Sequence, residues 1–410
     1  MLLSALSASA VAYGAFVEPA ALRPAVVSSR HAAAAPSMIL DQMQKAADAV
    51  KGAAAEQVVA KKVADKLAKA KEKYPIPEKY EPVMQGFFTS YMTEVYKAGN
   101  DVDYYEGVLT NLFKKVLENM KEPHQFQPFH AAMREPFDYY ALGNEFATGV
   151  INQEDSRIEG EEKIAQIQQQ VAAGDNVVLF ANHQSEADPQ IFSVLLDPKY
   201  PGFAESTIFV AGDRVTTDLL AGPFSMGRNL LCIFSKKHIE NPPELKSQKS
   251  RHNRNVMKTM QQMFTEGGKI IWVAPSGGRD RANEDGKFTV APFDSKSVEM
   301  FRLMADKAGR TTHFYPLSML THPICPPPQQ VGGAVGEVRT VKWSPAGLHF
   351  GDEVDLEAFA QGCVVDNFPE DCDPAQKRDA LRDALTQHIH GIVQGNYEGL
   401  DKELESKIPA

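Results

Sequence analysis

Asn182-His183-Gln184-Ser185-Glu186-Ala187-Asp188-Pro189 decides how this chain is read. It follows an apolar run, Val177-Val178-Leu179-Phe180-Ala181, that is bounded by Gly174-Asp175 on one side and Pro189 on the other. Such a run reads as a short buried strand. His183 and Asp188 then sit on the turn that leaves its carboxyl end, where α/β folds carry their chemistry. An imidazole can take a proton from a hydroxyl, and a carboxylate can orient the ring and stabilise its charged form. A lone His-x4-Asp is a weak signal, and its bland reading is a structural histidine.

Two further segments sharpen it. Leu230-Leu231-Cys232-Ile233-Phe234-Ser235-Lys236-Lys237-His238 and Ile270-Ile271-Trp272-Val273-Ala274-Pro275-Ser276-Gly277-Gly278-Arg279-Asp280-Arg281 are also strand-like runs that end in basic residues. If the three strands are neighbours in one sheet, Lys237, His238, Arg279 and Arg281 converge beside the His-Asp pair. Guanidinium forks match phosphate oxygens, and lysine adds a point charge. Gly277-Gly278 lets backbone approach a ligand closely. The residues therefore describe a base beside a phosphate clamp. Taken singly, the same cations would be a solvated surface. Arg214, in Gly212-Asp213-Arg214-Val215, is left between ion-pair partner and ligand.

Outward from these boxes, strands are expected at 176–181, 207–211, 231–235, 269–274 and 313–318, and helices at 189–196, 246–266 and 295–308. Strand and helix alternate, which predicts an α/β fold: a mixed sheet flanked by helices on both faces. Ser156–Ala173 reads as a helix with Ile158, Ile164, Ile167 and Val171 on one face, ending at Gly174. Glu337–Trp343 and Gly347–Glu353 read as strands that extend the sheet. A last helix is expected at 374–396, with Leu381, Leu385, His388 and Ile392 on one face. Helices near 81–100, 102–121 and 136–149 predict a small helical domain before the sheet. Val256, Met257, Met260, Met263 and Phe264 recur at helical spacing, read as core rather than the lining of a ligand channel. The chain divides as 1–40 presequence, 41–75 Ala/Lys-rich helical extension, 76–150 helical domain and 151–410 catalytic domain.

The boxes NHQSEADP, GDRV, CIFSKKH and IWVAPSGGRDR, with Phe314–Leu320 (FYPLSML), resemble the soluble plastid glycerol-3-phosphate acyltransferases in order and spacing, from about Tyr80 to the C-terminal helix. The combination is far more specific than His-x4-Asp alone, which a wider glycerolipid acyltransferase superfamily shares. The resemblance implies transfer of a fatty acyl group from acyl-acyl carrier protein to the sn-1 hydroxyl of glycerol 3-phosphate, giving 1-acyl-glycerol 3-phosphate. It implies that His183 is the general base, that Asp188 orients it, and that Lys237, His238, Arg279 and Arg281 hold the phosphate. Ala282 stands where the family usually has Pro, and Ser185 where Thr is common; neither departure touches a charged group. No Gly-x-Ser-x-Gly or Walker A pattern is present, so neither an acyl-serine hydrolase nor a nucleotide site is supported.

The chain has 410 residues, 43% of them apolar, enough for a large core and more than one domain. Its net charge of −10 argues against nucleic-acid binding. Against that balance, Lys236, Lys237, Lys246, Lys249, Arg251, Arg254 and Lys258 form a basic strip. It reads either as a solvated helix face or as a dock for an acidic partner such as acyl carrier protein. Cys232, Cys325, Cys363 and Cys372 lack metal spacing and suit a reducing compartment. No metal or cofactor is expected. No run reaches the roughly 18 apolar residues of a membrane span. Residues 1–15 resemble a signal peptide, and 16–38 are rich in Ala, Ser and Pro with few acids, like a plastid transit region. The bipartite pattern implies delivery to the plastid stroma and removal of about the first 40 residues.

Two alternatives stand beside this reading. One is a lysophosphatidate acyltransferase, a class that usually carries a membrane segment and a Glu-Gly-Thr-Arg third box in place of Pro-Ser-Gly-Gly-Arg. The other is a non-catalytic protein that binds acyl carrier protein or phospholipid, which would not need both His183 and Asp188. Coenzyme A stays open as an alternative donor, as do acyl-chain preference and oligomeric state.

Overall fold

The computed structural model describes residues 56–72, 76–218, 220–235, 239–328, 338–356, 358–359, 361–362 and 373–409. The expected presequence, Lys236, Lys237, His238, Cys363 and Cys372 lie outside the described residues.

The strands are β1 (Phe129–His130), β2 (Arg157–Glu159), β3 (Asn176–Ala181), β4 (Thr207–Gly212), β5 (Asn229–Ile233), β6 (Ile270–Val273), β7 (Thr312–Leu320) and β8 (Gly347–Phe350). They form one sheet in the order β1-β5-β4-β6-β3-β7-β8-β2. β3 runs parallel to β6 and β7, with Leu179 opposite both Trp272 and Tyr315. β4 is parallel to β5 and β6. β1–β5 and β7–β8 are antiparallel, so the sheet is mixed as expected. The parallel core sends the loops after β3, β4, β5, β6 and β7 to one edge.

From Val177 to Ala181 β3 is apolar because both of its faces are covered, the usual state of a parallel central strand. On one face Val177, Leu179 and Ala181 pack with Ile164 and Ile167 of helix Glu161–Ala172 and with Phe192 and Leu196 of helix Asp188–Leu196. On the other, Val178 and Phe180 meet Val256, Met260 and Phe264 of helix Lys246–Glu266, Val298 and Phe301 of helix Ser295–Ala308, and Leu385 and Ile389 of the C-terminal helix. The Met and Phe stripe of Lys246–Glu266 is therefore core. Each fully buried large apolar side chain contributes about 1.5–3 kcal/mol, so these two layers hold β3 rigidly where the site begins.

Helices Glu81–Lys97, Val102–Lys121 and Tyr139–Thr148 share a further core. Tyr91 stacks on Phe146 at 3.9 Å, and Asp101 caps the second helix through the Tyr104 amide at 3.1 Å. Ile191 and Val194 of helix Asp188–Leu196, together with Ile324 and Val341, complete this core. A helix over 56–71 buries Val63 and Leu67.

Four expectations are corrected. Ser156–Ala173 is not one helix: residues 157–159 form β2 beside β8, and the helix starts at Glu161. The break is Gly160, at φ 70°, where an added Cβ would lie 2.0 Å from the Phe350 carbonyl oxygen. Residues 338–343 are not a strand. Their backbone is claimed by a helix and a turn: Val341 N donates to Ser90 Oγ, Trp343 N to Glu94 Oε2 and Lys342 N to the Ile324 carbonyl. β5 begins and ends two residues earlier than expected, because its ladder with β4 closes at Gly212 opposite Ile233. The C-terminal helix spans Pro374–Leu404, and its buried side runs through Leu385, Ile389, Val393, Tyr397, Leu400 and Leu404, leaving His388 exposed. β7 and β8 form the wall it follows, so Leu385 and Ile392 of the expected face do meet the core while His388 does not.

Gly160→Ala should destabilise the chain by about 1–3 kcal/mol, the usual cost of a strained left-handed position. The urea midpoint should fall accordingly, and a wild-type midpoint would contradict this account of the break.

Candidate active site

The site grows from the carboxyl end of β3. Asn182 is fully buried there and ties three strands together. Its Nδ2 donates to the Met319 carbonyl at 2.9 Å and to Asp280 Oδ2 at 3.1 Å, and its Oδ1 accepts from the Met319 amide at 2.7 Å. The ends of β3 and β7 and the loop after β6 are thereby fixed around the next residue, His183.

His183 Nδ1 donates to Asp188 Oδ2 at 2.7 Å. Asp188 opens helix Asp188–Leu196 and has no exposed surface. Its Oδ2 also accepts from the Gln184 amide, and its Oδ1 accepts from the Ser185 amide, each at 3.0 Å. Thr321 Oγ1, just past β7, donates to Oδ1 at 2.5 Å. Four donors thus surround one carboxylate, which a buried ion needs. Ser185 serves the turn itself: its Oγ accepts from the Ala187 amide at 3.1 Å.

The His183 side chain keeps 26% of its surface exposed, whereas Asp188 keeps none. With Nδ1 engaged, Nε2 is the ring nitrogen available for proton transfer. Trp272 of β6 stands edge-on to the imidazole, with ring centres 5.7 Å apart and an interplanar angle of 83°. The His183 carbonyl accepts from the Asp280 amide at 2.6 Å.

The β6 loop thus reaches the same place. Arg279 Nη1 lies 3.3 Å from Glu186 Oε1, three residues past His183. Arg281 Nη1 donates to the carbonyls of Arg279 at 3.1 Å and Asp280 at 3.0 Å. Between them the Asp280 carboxyl is buried, and that burial raises its pKa. The Ala291 amide at 2.9 Å and Asn182 Nδ2 act against the rise. His183, Asp188, Arg279 and Arg281 are therefore gathered at one edge of adjacent strands. Lys237 and His238 fall outside the described residues; β5, which precedes them, stands beyond β4 and β6 on the same edge.

A base-carboxylate pair next to two guanidiniums can take a hydroxyl proton from a phosphorylated acceptor. Residues 156–320 match the family model described as Acyltransferase. The chloroplastic glycerol-3-phosphate acyltransferase of Pisum sativum is 36% identical over 345 residues, covering 83% of this chain and 73% of that one. The chain belongs to this family. The corresponding ATS12 protein of Cucurbita moschata is 39% identical, covering 83% and 72%. A solved 1-acyl-sn-glycerophosphate acyltransferase, PlsC of Thermotoga maritima, shares 16% identity at a TM-score of 0.34, covering 78% of this chain and 95% of that one.

Several residues of this acyltransferase's site escape a reading of motifs. Thr321 follows the FYPLSML box and could have been found by the same rule that picks strand ends. Glu186 lies inside the His-Asp box but carries no signal of its partners. Arg339, which donates to Glu186 Oε2 at 2.6 Å, is 153 positions away in sequence. His322 packs on Phe288 at 3.9 Å between ring centres and reaches Gln184 Oε1 at 3.3 Å.

Burial pushes the His322 pKa down to about 4. The folded chain then binds fewer protons than the unfolded one between pH 6.5 and about 4, so stability fades as pH falls through that window. His322→Gln should flatten the decline by up to about 3 kcal/mol. Urea midpoints at pH 7 and 4.5 measure it, and parallel declines in both proteins would contradict the assignment.

Proposed function

We propose that the chain transfers a fatty acyl group from acyl-acyl carrier protein to the sn-1 hydroxyl of glycerol 3-phosphate. The observation that carries the reading is the 2.7 Å contact between His183 Nδ1 and the fully buried Asp188. It engages one ring nitrogen and leaves the other to act as a base.

The step proceeds without a covalent enzyme intermediate. His183 Nε2 takes the proton as the sn-1 oxygen attacks the thioester carbonyl. The new carbon–oxygen bond forms, the carbon–sulfur bond breaks, and the imidazolium returns the proton to the leaving thiolate. Asp188 stabilises the imidazolium while it exists. Arg279 and Arg281, with Lys237 and His238, hold the acceptor's phosphate and bring the sn-1 oxygen to the base. Holding the acceptor by its phosphate also gives a physical reason to prefer glycerol 3-phosphate over uncharged alcohols.

A carrier protein as donor is supported by charge. On helix Lys246–Glu266, Lys249 is buried and Lys246 pairs with Glu240 at 2.6 Å, but Arg251, Arg254 and Lys258 face solvent at i, i+3 and i+7. They form a stripe whose first members stand near the site edge, complementary to an acidic carrier. The relatives named chloroplastic support a plastid location. In this reading residues 1–40 direct the chain to the plastid stroma and are then removed. Among the described residues no helix is long and apolar enough to cross a membrane.

His183→Ala should lower kcat with acyl-acyl carrier protein and glycerol 3-phosphate by about 10²–10⁴-fold, with an unchanged circular dichroism spectrum. A folded variant with wild-type turnover would remove His183 from the mechanism.

A further inference from the structure

Arg279 belongs to a chain of four charges. Glu186 Oε1 faces Arg279 Nη1 at 3.3 Å, and Glu186 Oε2 accepts from Arg339 Nε at 2.6 Å. Arg339 Nη2 donates in turn to Asp218 Oδ2 at 3.0 Å. Asp218 is fixed because its Oδ1 accepts from the amides of Leu220 and Ala221. The charges come from four places: Glu186 follows β3, Asp218 follows β4, Arg279 follows β6, and Arg339 lies on segment 338–344.

Arg339 cannot drift. Its side chain is 7% exposed. Burial alone would lower its pKa, but Glu186 and Asp218 more than offset that and raise it, so it stays charged. Its segment is held by Ser90 and Glu94 of helix Glu81–Lys97: Val341 N donates to Ser90 Oγ at 2.8 Å, and Trp343 N to Glu94 Oε2 at 3.0 Å. The helical layer thereby reaches the site edge through one guanidinium.

Buried ion pairs add little net stability compared with apolar packing. Four buried or half-buried charges beside a reactive turn call for another explanation, and the geometry gives one. Glu186 is shared by two cations. While Arg339 compensates its charge, Arg279 is held in place and can still exchange its weaker, 3.3 Å contact for a phosphate oxygen. Without Arg339, Glu186 would have Arg279 as its main counter-charge and would compete with the phosphate for it.

We propose that Arg339 is a positioning residue for the phosphate site, which sets the place and availability of Arg279 by compensating Glu186. The inference rests on the reading of Arg279 as a phosphate ligand. It makes affinity for glycerol 3-phosphate depend on a residue that does not touch it.

Calorimetric titration of glycerol 3-phosphate into the full chain, without acyl donor, tests this. Arg339→Gln should weaken binding about tenfold, the scale of one charge-pair coupling. Adding Glu186→Gln to that variant should restore most of the loss, because the competitor is neutralised. Arg339→Gln should weaken binding little further in an Arg279→Gln background. Wild-type affinity in Arg339→Gln, or no recovery on adding Glu186→Gln, would overturn the proposal. If Arg339→Gln does not fold, Arg339→Lys keeps the charge and loses the fork. It should bind several-fold more weakly at a near wild-type Tm, and unchanged affinity there would also overturn it. A wild-type chain that does not bind glycerol 3-phosphate, or an Arg279→Gln variant that binds normally, would remove the phosphate site itself. That is a separate failure, and this inference would fall with it.

Discussion

The buried carboxylate of Asp188 is the constraint on which the site depends. An ion without solvent costs several kcal/mol unless donors replace its water. Here two come from its own turn, through the amides of Gln184 and Ser185; one comes from Thr321 beyond β7; and one is His183 itself. The turn must curl for its amides to reach the carboxylate, and β7 must lie beside β3 for the threonine to do so. The strand order meets the second condition directly. Any rearrangement of this edge would strand a charge, so the His183 ring is held by more than its own packing.

Around that centre a second layer of polar groups distributes the restraint. Asn182 binds β7 and Asp280, while the Asp280 amide binds the His183 carbonyl. Glu186 carries the restraint to Arg279 and Arg339. The apolar layers on the two faces of β3 do not touch the chemistry, yet they determine where the edge stands. The helical layer contributes through Ser90 and Glu94, which hold the segment bearing Arg339. The division of labour is plain: apolar burial places the strands, and a few directed hydrogen bonds aim the side chains.

Much of this is legible in the sequence, for identifiable reasons. β3 reads to the residue because it is apolar on both faces and bounded by turn residues. Helices Lys246–Glu266 and Ser295–Ala308 read to the residue because amphipathic spacing and glycine stops agree. His183 and Asp188 read as a pair because both sit within one turn, five positions apart. What escapes is non-local. The break at Gly160 is imposed by the Phe350 carbonyl, and residues 338–343 give up strand pairing to Ser90, Glu94 and Ile324, partners that no local pattern reveals. Thr321 and Arg339 find their carboxylates 133 and 153 positions away, across the sheet edge. The stripe of the C-terminal helix is set by the wall it packs on: Leu385 and Ile392 lie on the buried side as periodicity indicates, but His388 is exposed and the stripe runs on to Leu404.

The most direct test of the account offers the purified protein acyl-acyl carrier protein with glycerol 3-phosphate or with lysophosphatidate, in separate steady-state reactions, and identifies the position acylated. The proposed base, aimed by Asp188 beside the proposed arginine clamp, predicts turnover of glycerol 3-phosphate at the sn-1 oxygen and none of lysophosphatidate. Turnover of lysophosphatidate alone, or of neither by a folded protein, would contradict it.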